Sequence, residues 1–259
     1  MQLKINQKRL IGVFTTVITK KSFLDKEKYA MLILGIDTST HICSVALAVN
    51  GATIDCIENT AGHAHASLIT VQIEEILHRN QYNIHQLHAV AVSQGPGSYT
   101  GLRIGVSAAK GICYVLNIPL IAVSTLEALT RKAITNNNNE PGFYMPMLDA
   151  MRMEVYTAVY TSTLECIEIP QALVITPGVF DTYLNEQPCY YFGTGAAKCR
   201  PLLQHPNAGF MADVECSATN LSEPAFERLT TGKTEDIAYF FPDYIKNFFS
   251  NKSKTELVH

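Results

Sequence analysis

The order of strands and helices legible in the sequence predicts an α/β protein with an internally duplicated fold, two βββαβαβα-type halves of which the second is less regular. Three observations carry this. The first half reads as a three-stranded meander followed by alternating helices and strands. A strand ending in aspartate and followed by an antiparallel strand occurs once per half, at Asp37 and at Asp149. Between a buried strand and a long helix stands the turn Gly95-Pro96-Gly97.

Each element has a local cause. Residues 31–36 are a continuous apolar strand, residues 42–49 alternate into a second, and Asn50-Gly51 is a tight hairpin signal leading to a third near residues 53–58. Residues 66–80 place Ile69, Ile73, Ile76 and Leu77 on one helical stripe, with Leu68 and Val71 leaning to a second. Residues 88–93 are rich in β-branched side chains, which suits a strand covered on both faces. After the turn, Ser98 or Thr100 is placed to cap a helix over residues 100–116. Residues 119–123 form a fifth strand, and Ser124 opens a helix with Leu126, Leu129 and Ile134 inward and Glu127 at the third position of a capping box.

The polar run 136–142 lacks apolar periodicity and marks a boundary between subdomains at 31–135 and 143–235. Strands are expected near 144–148, 155–160, 172–175 and 189–192. Residues 236–250 read as a C-terminal segment that packs back on the body, and 251–259 as a tail. Residues 1–30 read as an upstream extension, non-native or disordered, because Met31 opens directly onto the first core strand, and as no signal peptide, because the apolar run 10–18 is broken by Thr15 and Thr16 and lacks a small-residue cleavage site.

With 259 residues, 47% of them hydrophobic, the chain can bury a sizeable core. A net charge of −3 gives no global basic field, so any contact with RNA is expected through a partner. Seven scattered cysteines without a C-x-x-C pair signal neither a disulfide framework nor zinc, which fits a reducing cytoplasm. No run is long enough for a membrane span.

The turn invites a phosphate-loop reading, since glycine turns and helix starts offer N–H groups to anions. Its spacing departs from both common versions: Leu102-Arg103 follows Gly101 where a Walker loop needs Lys and then Ser or Thr, and Gly95, Gly97 and Gly101 are spaced one residue too far for G-x-G-x-x-G. Gly95, Pro96, Gly97 and Gly101 are therefore read as a structural turn. His63 and His65 are two apart and do not share a helical face, and His85 and His88 flank a loop, so none is read as a ligand. The helix after the turn has two apolar stripes, Leu102, Val106, Ala109, Cys113 and Leu116 on one and Ile104, Ala108, Ile112 and Val115 on the other. One stripe packs on its own sheet. The other packs on the preceding helix or takes a second molecule.

The element order and the paired Asp-bearing hairpins resemble the actin, Hsp70 and sugar-kinase superfamily, in which two such halves flank a nucleotide cleft. More specifically, Ile33-Leu34-Gly35-Ile36-Asp37-Thr38-Ser39, the segment from Gly95 to Gly105, the segment from Ile118 to Leu129, and Asp149-Ala150-Met151-Arg152-Met153-Glu154-Val155-Tyr156 resemble the TsaB (YeaZ) family, and residues 238–246 resemble that family's closing segment. Met151 departs from the pattern, because the family usually has a second arginine beside Arg152.

This resemblance implies a non-catalytic subunit in the synthesis of threonylcarbamoyladenosine at position 37 of tRNA. The implied partners are a TsaD-type transferase, a TsaE-type ATPase and, when the chain is alone, a second copy of itself, with tRNA reached only through the complex. ATP and a metal ion are expected in the partner subunits and no cofactor in this chain. The transferase type carries two metal-binding histidines four apart on a helix, and Thr125 and Leu129 stand at the corresponding positions here. The implied partner surface draws on Leu68, Val71, Gln72, Glu75, Ile104, Ala108, Ala109 and Ile112. Asp37, Ser39 and Asp149 are candidates for a vestigial nucleotide site, Ser39 standing where a phosphate loop has glycine. The alternative class is a self-sufficient ATPase or small-molecule kinase using Asp37 and Asp149, and a metalloprotease is disfavoured by the missing histidine pair.

Overall fold

The structure, a computed structural model, describes residues 30–60 and 65–246; the expectations for residues 1–29, for His63 and for residues 247–259 lie outside the described residues. The first lobe runs β1 (Leu32–Asp37), β2 (Cys43–Val49), β3 (Ala52–Asn59), α1 (His65–Arg79), β4 (Ala89–Gly95), α2 (Tyr99–Leu116) and β5 (Leu120–Ser124). Helix α3 (Thr125–Asn136) leads into the second lobe: β6 (Phe143–Asp149), β7 (Glu154–Thr161), β8 (Cys166–Val174), α4 (Asp181–Leu184), β9 (Cys189–Phe192), α5 (Ala196–Cys199) and β10 (Ala208–Phe210). Helix α6 (Ser222–Thr230) follows.

The duplication is visible in the sheets. The first has the order β3-β2-β1-β4-β5, and the second, read from its other edge, β8-β7-β6-β9-β10. In each, the first three strands form an antiparallel meander and the last two lie parallel to the first strand. Asn50 and Gly51, both at positive φ (52° and 82°), close the first hairpin as their side chains favour.

Sheet I is covered on one face by α1 and α2. Ile69, Ile73, Ile76 and Leu77 join Val106, Ala109 and Cys113 over Leu34, Ile36, Val90 and Val92. Each fully buried Val or Leu here contributes roughly 1.5–3 kcal/mol. The opposite face is covered by Leu221 and Ala225, which meet Ile33, Ala89, Ala91, Ile121 and Val123.

Two boundaries differ from those expected. Residues 217–235, assigned to subdomain II, return to the first lobe, because the outer face of sheet I needs the apolar cover of Leu221 and Ala225. Helix α3, assigned to subdomain I, sits between the lobes. Its Ala128 faces sheet I while Leu126, Leu129, Ala133 and Ile134 pack on Tyr144, Leu148, Ala158 and Phe192 of sheet II. The capping box at its start is half formed: Ser124 Oγ accepts from Glu127 N at 3.5 Å, but the Glu127 carboxylate turns outward to Arg131 and Arg228 at 3.3 and 2.7 Å.

Candidate functional site

Strand β4 delivers the glycine turn onto the loop that follows β1. Ser98 caps α2 by accepting from Gly101 N, Ser98 N donates to Ser39 O at 2.7 Å, and Thr38 Oγ1 donates to Gly101 O at 2.7 Å. The two loops lie so close that a Cβ at Gly97 would stand 2.4 Å from Ser39 O and one at Gly101 2.1 Å from Thr38 O. No side chain fits there, so the glycines serve close approach of backbone to backbone.

Beneath this seal lies Asp37, 3% exposed. Three donors converge on its Oδ1: Ser39 N at 2.8 Å, Ser39 Oγ at 2.6 Å and Ser93 Oγ at 3.0 Å. Burial raises its pKa above the ordinary carboxylate value, and the bonds from Ser39 and Ser93 oppose that rise only in part. Asp149, the counterpart at the end of β6, keeps half its side chain in solvent and pairs with Lys198. Burial raises its pKa too, but the bonds from Lys198 and from Met151 N outweigh this and hold the carboxyl below its usual range. The acids of the candidate nucleotide site are thus engaged separately, one in each lobe.

Between them runs a segment whose place the sequence did not disclose. Glu235 N bonds Leu120 O, Asp243 N donates to Gln94 O at 2.9 Å, and Lys246 pairs with Glu154 and donates to Ala150 O at 3.5 Å. Glu235, Asp236 and residues 239–244 line an open depression of about 610 Å³ beside Gln94. The aromatic run at 238–244 was the available signal, but nothing in it says which surface it crosses.

Of the residues expected at a partner surface on α1 and α2, two lie in the interior. Gln72 and Ala109 are buried, at 4% and 0%. Ala109 faces the core, and Gln72 is held inward by Cys43, whose Sγ donates to Gln72 Oε1 at 3.3 Å. Ile104, Ala108 and Ile112 are half-buried against the same core, Leu68 is half-buried, and Val71 and Glu75 are exposed. Tyr114 and Val115 at the end of α2 are more open still, at 79% and 77%. Beside them Gly111 has no neighbouring atom within 4 Å of a Cβ position, so the outer face of α2 has room for an incoming surface.

Thr125 and Leu129 fall in the interior at 2% and 0% exposure, Leu129 among the side chains linking α3 to sheet II. A hydroxyl and an isobutyl group in that setting cannot supply the imidazole pair of a metal site. Among the described residues no group of three or more His, Cys, Asp or Glu side chains is placed to hold a metal, all seven cysteines are free thiols, and no helix is long and apolar enough to cross a membrane. Met151 and Arg152 form the exposed tip of the β6–β7 hairpin, both at positive φ.

Residues 57–255 match the model of the family described as TsaD, tRNA N6-adenosine threonylcarbamoyltransferase. A Bacillus subtilis protein named tRNA threonylcarbamoyladenosine biosynthesis protein TsaB is 28% identical over 83% of this chain and 94% of its own length. The chain belongs to the TsaD family, in its TsaB (YeaZ) branch. The Escherichia coli TsaB is 35% identical over 130 residues, and there the matched stretch spans about half of each protein, 50% of this chain and 55% of the relative. A Pseudomonas aeruginosa YeaZ structure superposes with a TM-score of 0.71 at 24% identity, covering 83% of this chain and 99% of that one. That likeness shows the fold. Together with the paired sheets it makes this TsaB-branch chain a duplicated fold of the actin, Hsp70 and sugar-kinase type.

Proposed function

We propose that this chain is the non-catalytic scaffold and activator subunit in the formation of N6-threonylcarbamoyladenosine at position 37 of tRNA. It pairs with a TsaD-type transferase through the outer faces of α1 and α2, works with a TsaE-type ATPase, forms a homodimer when alone, and meets tRNA only as part of the complex. ATP and the metal ion belong to the partner subunits, and the setting is the cytoplasm. The observation that carries the non-catalytic reading is the closure over Asp37: Gly97 and Gly101 pack directly on the Thr38–Ser39 backbone, and Oδ1 of the buried carboxylate already accepts three hydrogen bonds from Ser39 and Ser93. The interior Thr125 and Leu129 support it from the metal side.

Gly111→Arg tests the partnership. The position is open, so the monomer should melt at or above the wild-type temperature, since replacing a helical glycine contributes about 1 kcal/mol. The new cation beside Tyr114 and Val115 on the same helix should lower affinity for the transferase subunit at least tenfold and reduce modified adenosine in the reconstituted reaction in proportion. Wild-type affinity in this variant would remove α2 from the interface. Robust ATP turnover by the purified chain alone would replace the scaffold reading with the ATPase or kinase alternative.

A further inference from the structure

The segment 236–246 touches both lobes, and its contacts are of different kinds at its two ends. On the first lobe it lies along α2. Lys110 Nζ donates to Phe240 O at 2.9 Å, Phe240 packs against the core under α2, and the Tyr244 ring meets Tyr99 with centroids 4.8 Å apart. Arg103 closes this group, its Cζ 4.2 Å from the Tyr99 centroid and its Nε donating to Tyr244 Oη at 3.1 Å. On the second lobe Lys246 grips the β6–β7 hairpin through the Glu154 carboxylate and Ala150 O, with its ammonium 5.8 Å from the Tyr156 ring.

These contacts fall beyond the carboxyl ends of β4 and β6, the crevice where open α/β sheets take their ligands. Asp243 O would lie 2.7 Å from a Cβ at Gly95, so the strap is seated directly on the glycine turn. We propose that residues 236–246 are a latch that holds the two lobes at one fixed opening, joining α2 to the hairpin tip across the mouth of the cleft. A chain segment thereby does the bridging that a bound ligand does in an open cleft. Arg103, Tyr99 and Tyr244 anchor the latch, and Lys246 with Glu154 is its releasable end. The partly exposed ion pair is weak enough to open, whereas the aromatic group keeps the segment attached to α2.

The test is a charge swap in the full-length chain, with Lys246→Glu, Glu154→Lys and both together, plus Tyr244→Ala as an independent release at the other end. Amide hydrogen exchange is followed at residues 150–156 and 94–103, and small-angle scattering gives the radius of gyration. Either single charge reversal should speed exchange at 150–156 at least fivefold and broaden the scattering profile, and the double swap should restore both. Tyr244→Ala should free the strap from the glycine turn and loosen 94–103 and 150–156 together. Unchanged exchange and scattering in Lys246→Glu and Tyr244→Ala overturn the latch, as does loosening confined to the side that carries the substitution. Because no partner subunit is present in these measurements, their failure leaves the pairing test of Gly111→Arg untouched.

Discussion

The ends of β1 and β6 hold the same place in the two halves, yet their aspartates live in opposite surroundings. Asp37 is sealed under the turn that launches α2, an 18-residue helix, and its pKa is raised by burial. Asp149 faces solvent beside α5, a 4-residue helix, and its pKa is lowered. In both lobes the parallel strand next in the sheet leads into a glycine-containing turn that contacts the acid's loop. In lobe I this contact is backbone against backbone through Gly97 and Gly101, at 2.4 and 2.1 Å from a Cβ position; in lobe II the turn also meets the β6 backbone, Gly195 N donating to Met147 O at 2.8 Å, but less closely beside the acid, where Thr194 Oγ1 accepts from Asp149 N at 3.1 Å and Lys198 reaches over from α5. Duplicating a topology did not duplicate a chemistry: Ser39, Ser93 and the glycine turn close over Asp37, whereas Asp149 is met by Lys198 with half its side chain still in water.

The sharpest way to break this comparison is to put the same methyl group into each turn. In Gly101→Ala the new Cβ would lie 2.1 Å from the Thr38 carbonyl oxygen, a backbone atom that cannot step aside without moving β1. A loss of about 3 kcal/mol or more is expected in urea unfolding, at the upper end for overpacking. In Gly195→Ala the nearest atom, at 2.8 Å, is Val155 Cγ1, with the Leu148 carbonyl carbon and Asp149 N at 3.1 and 3.2 Å, and because no backbone atom is approached as closely as at Gly101 the loss should be smaller. Equal losses would mean that the second turn is as tightly closed as the first.

The first lobe was largely legible because its elements are long and periodic: the meander, the Asn50-Gly51 hairpin, the stripes of α1 and α2 and the capping by Ser98 and Ser124 each leave a local signature. The second lobe was harder, since α4, α5 and β10 are only 3–4 residues long, too short for a period to show. Long-range choices were not legible at all. Whether α3 belongs to one sheet or to both, and where 217–246 return, depends on which apolar faces remain uncovered once the sheets exist. On α2, Ala108 and Ala109 are equally small and 100° apart, so sequence could not say which one faces the core. Gln72 looked like a surface residue by type, and only the fold reveals Cys43 as its partner.

A subtler contrast lies in pH. A raised folded-state pKa means that the native protein holds the Asp37 proton more tightly than the unfolded chain, so this term is most favourable below about pH 4 and is lost as pH rises through the native value. The stability difference between wild type and Asp37→Asn should therefore shrink or reverse between pH 4 and pH 8. For Asp149 the sign is opposite. Its lowered pKa gives stability that is present at neutral pH and disappears as pH falls below the ordinary carboxylate value, so Asp149→Asn should match wild type most closely in acid. Denaturant midpoints at four or five pH values measure both, and two slopes of the same sign would contradict the two environments.

The smallest effect concerns the pair that stands in lobe II where the seal stands in lobe I. Lys198 bonds both the Asp149 carboxylate and Glu154 O, the latter at 2.8 Å, so Lys198→Ala removes two contacts and Asp149→Asn weakens one. Because half of the Asp149 side chain remains in water, the pair is screened and the loss in Lys198→Ala should be about 1 kcal/mol or less. Thermal unfolding of the two single variants and the double variant separates the ion pair from the carbonyl bond, and most of the Lys198→Ala loss should persist in the Asp149→Asn background. If instead the loss vanished there and approached that of Gly101→Ala, Lys198 would be closing over Asp149 as the glycine turn closes over Asp37, and the two halves would share one device built from different residues.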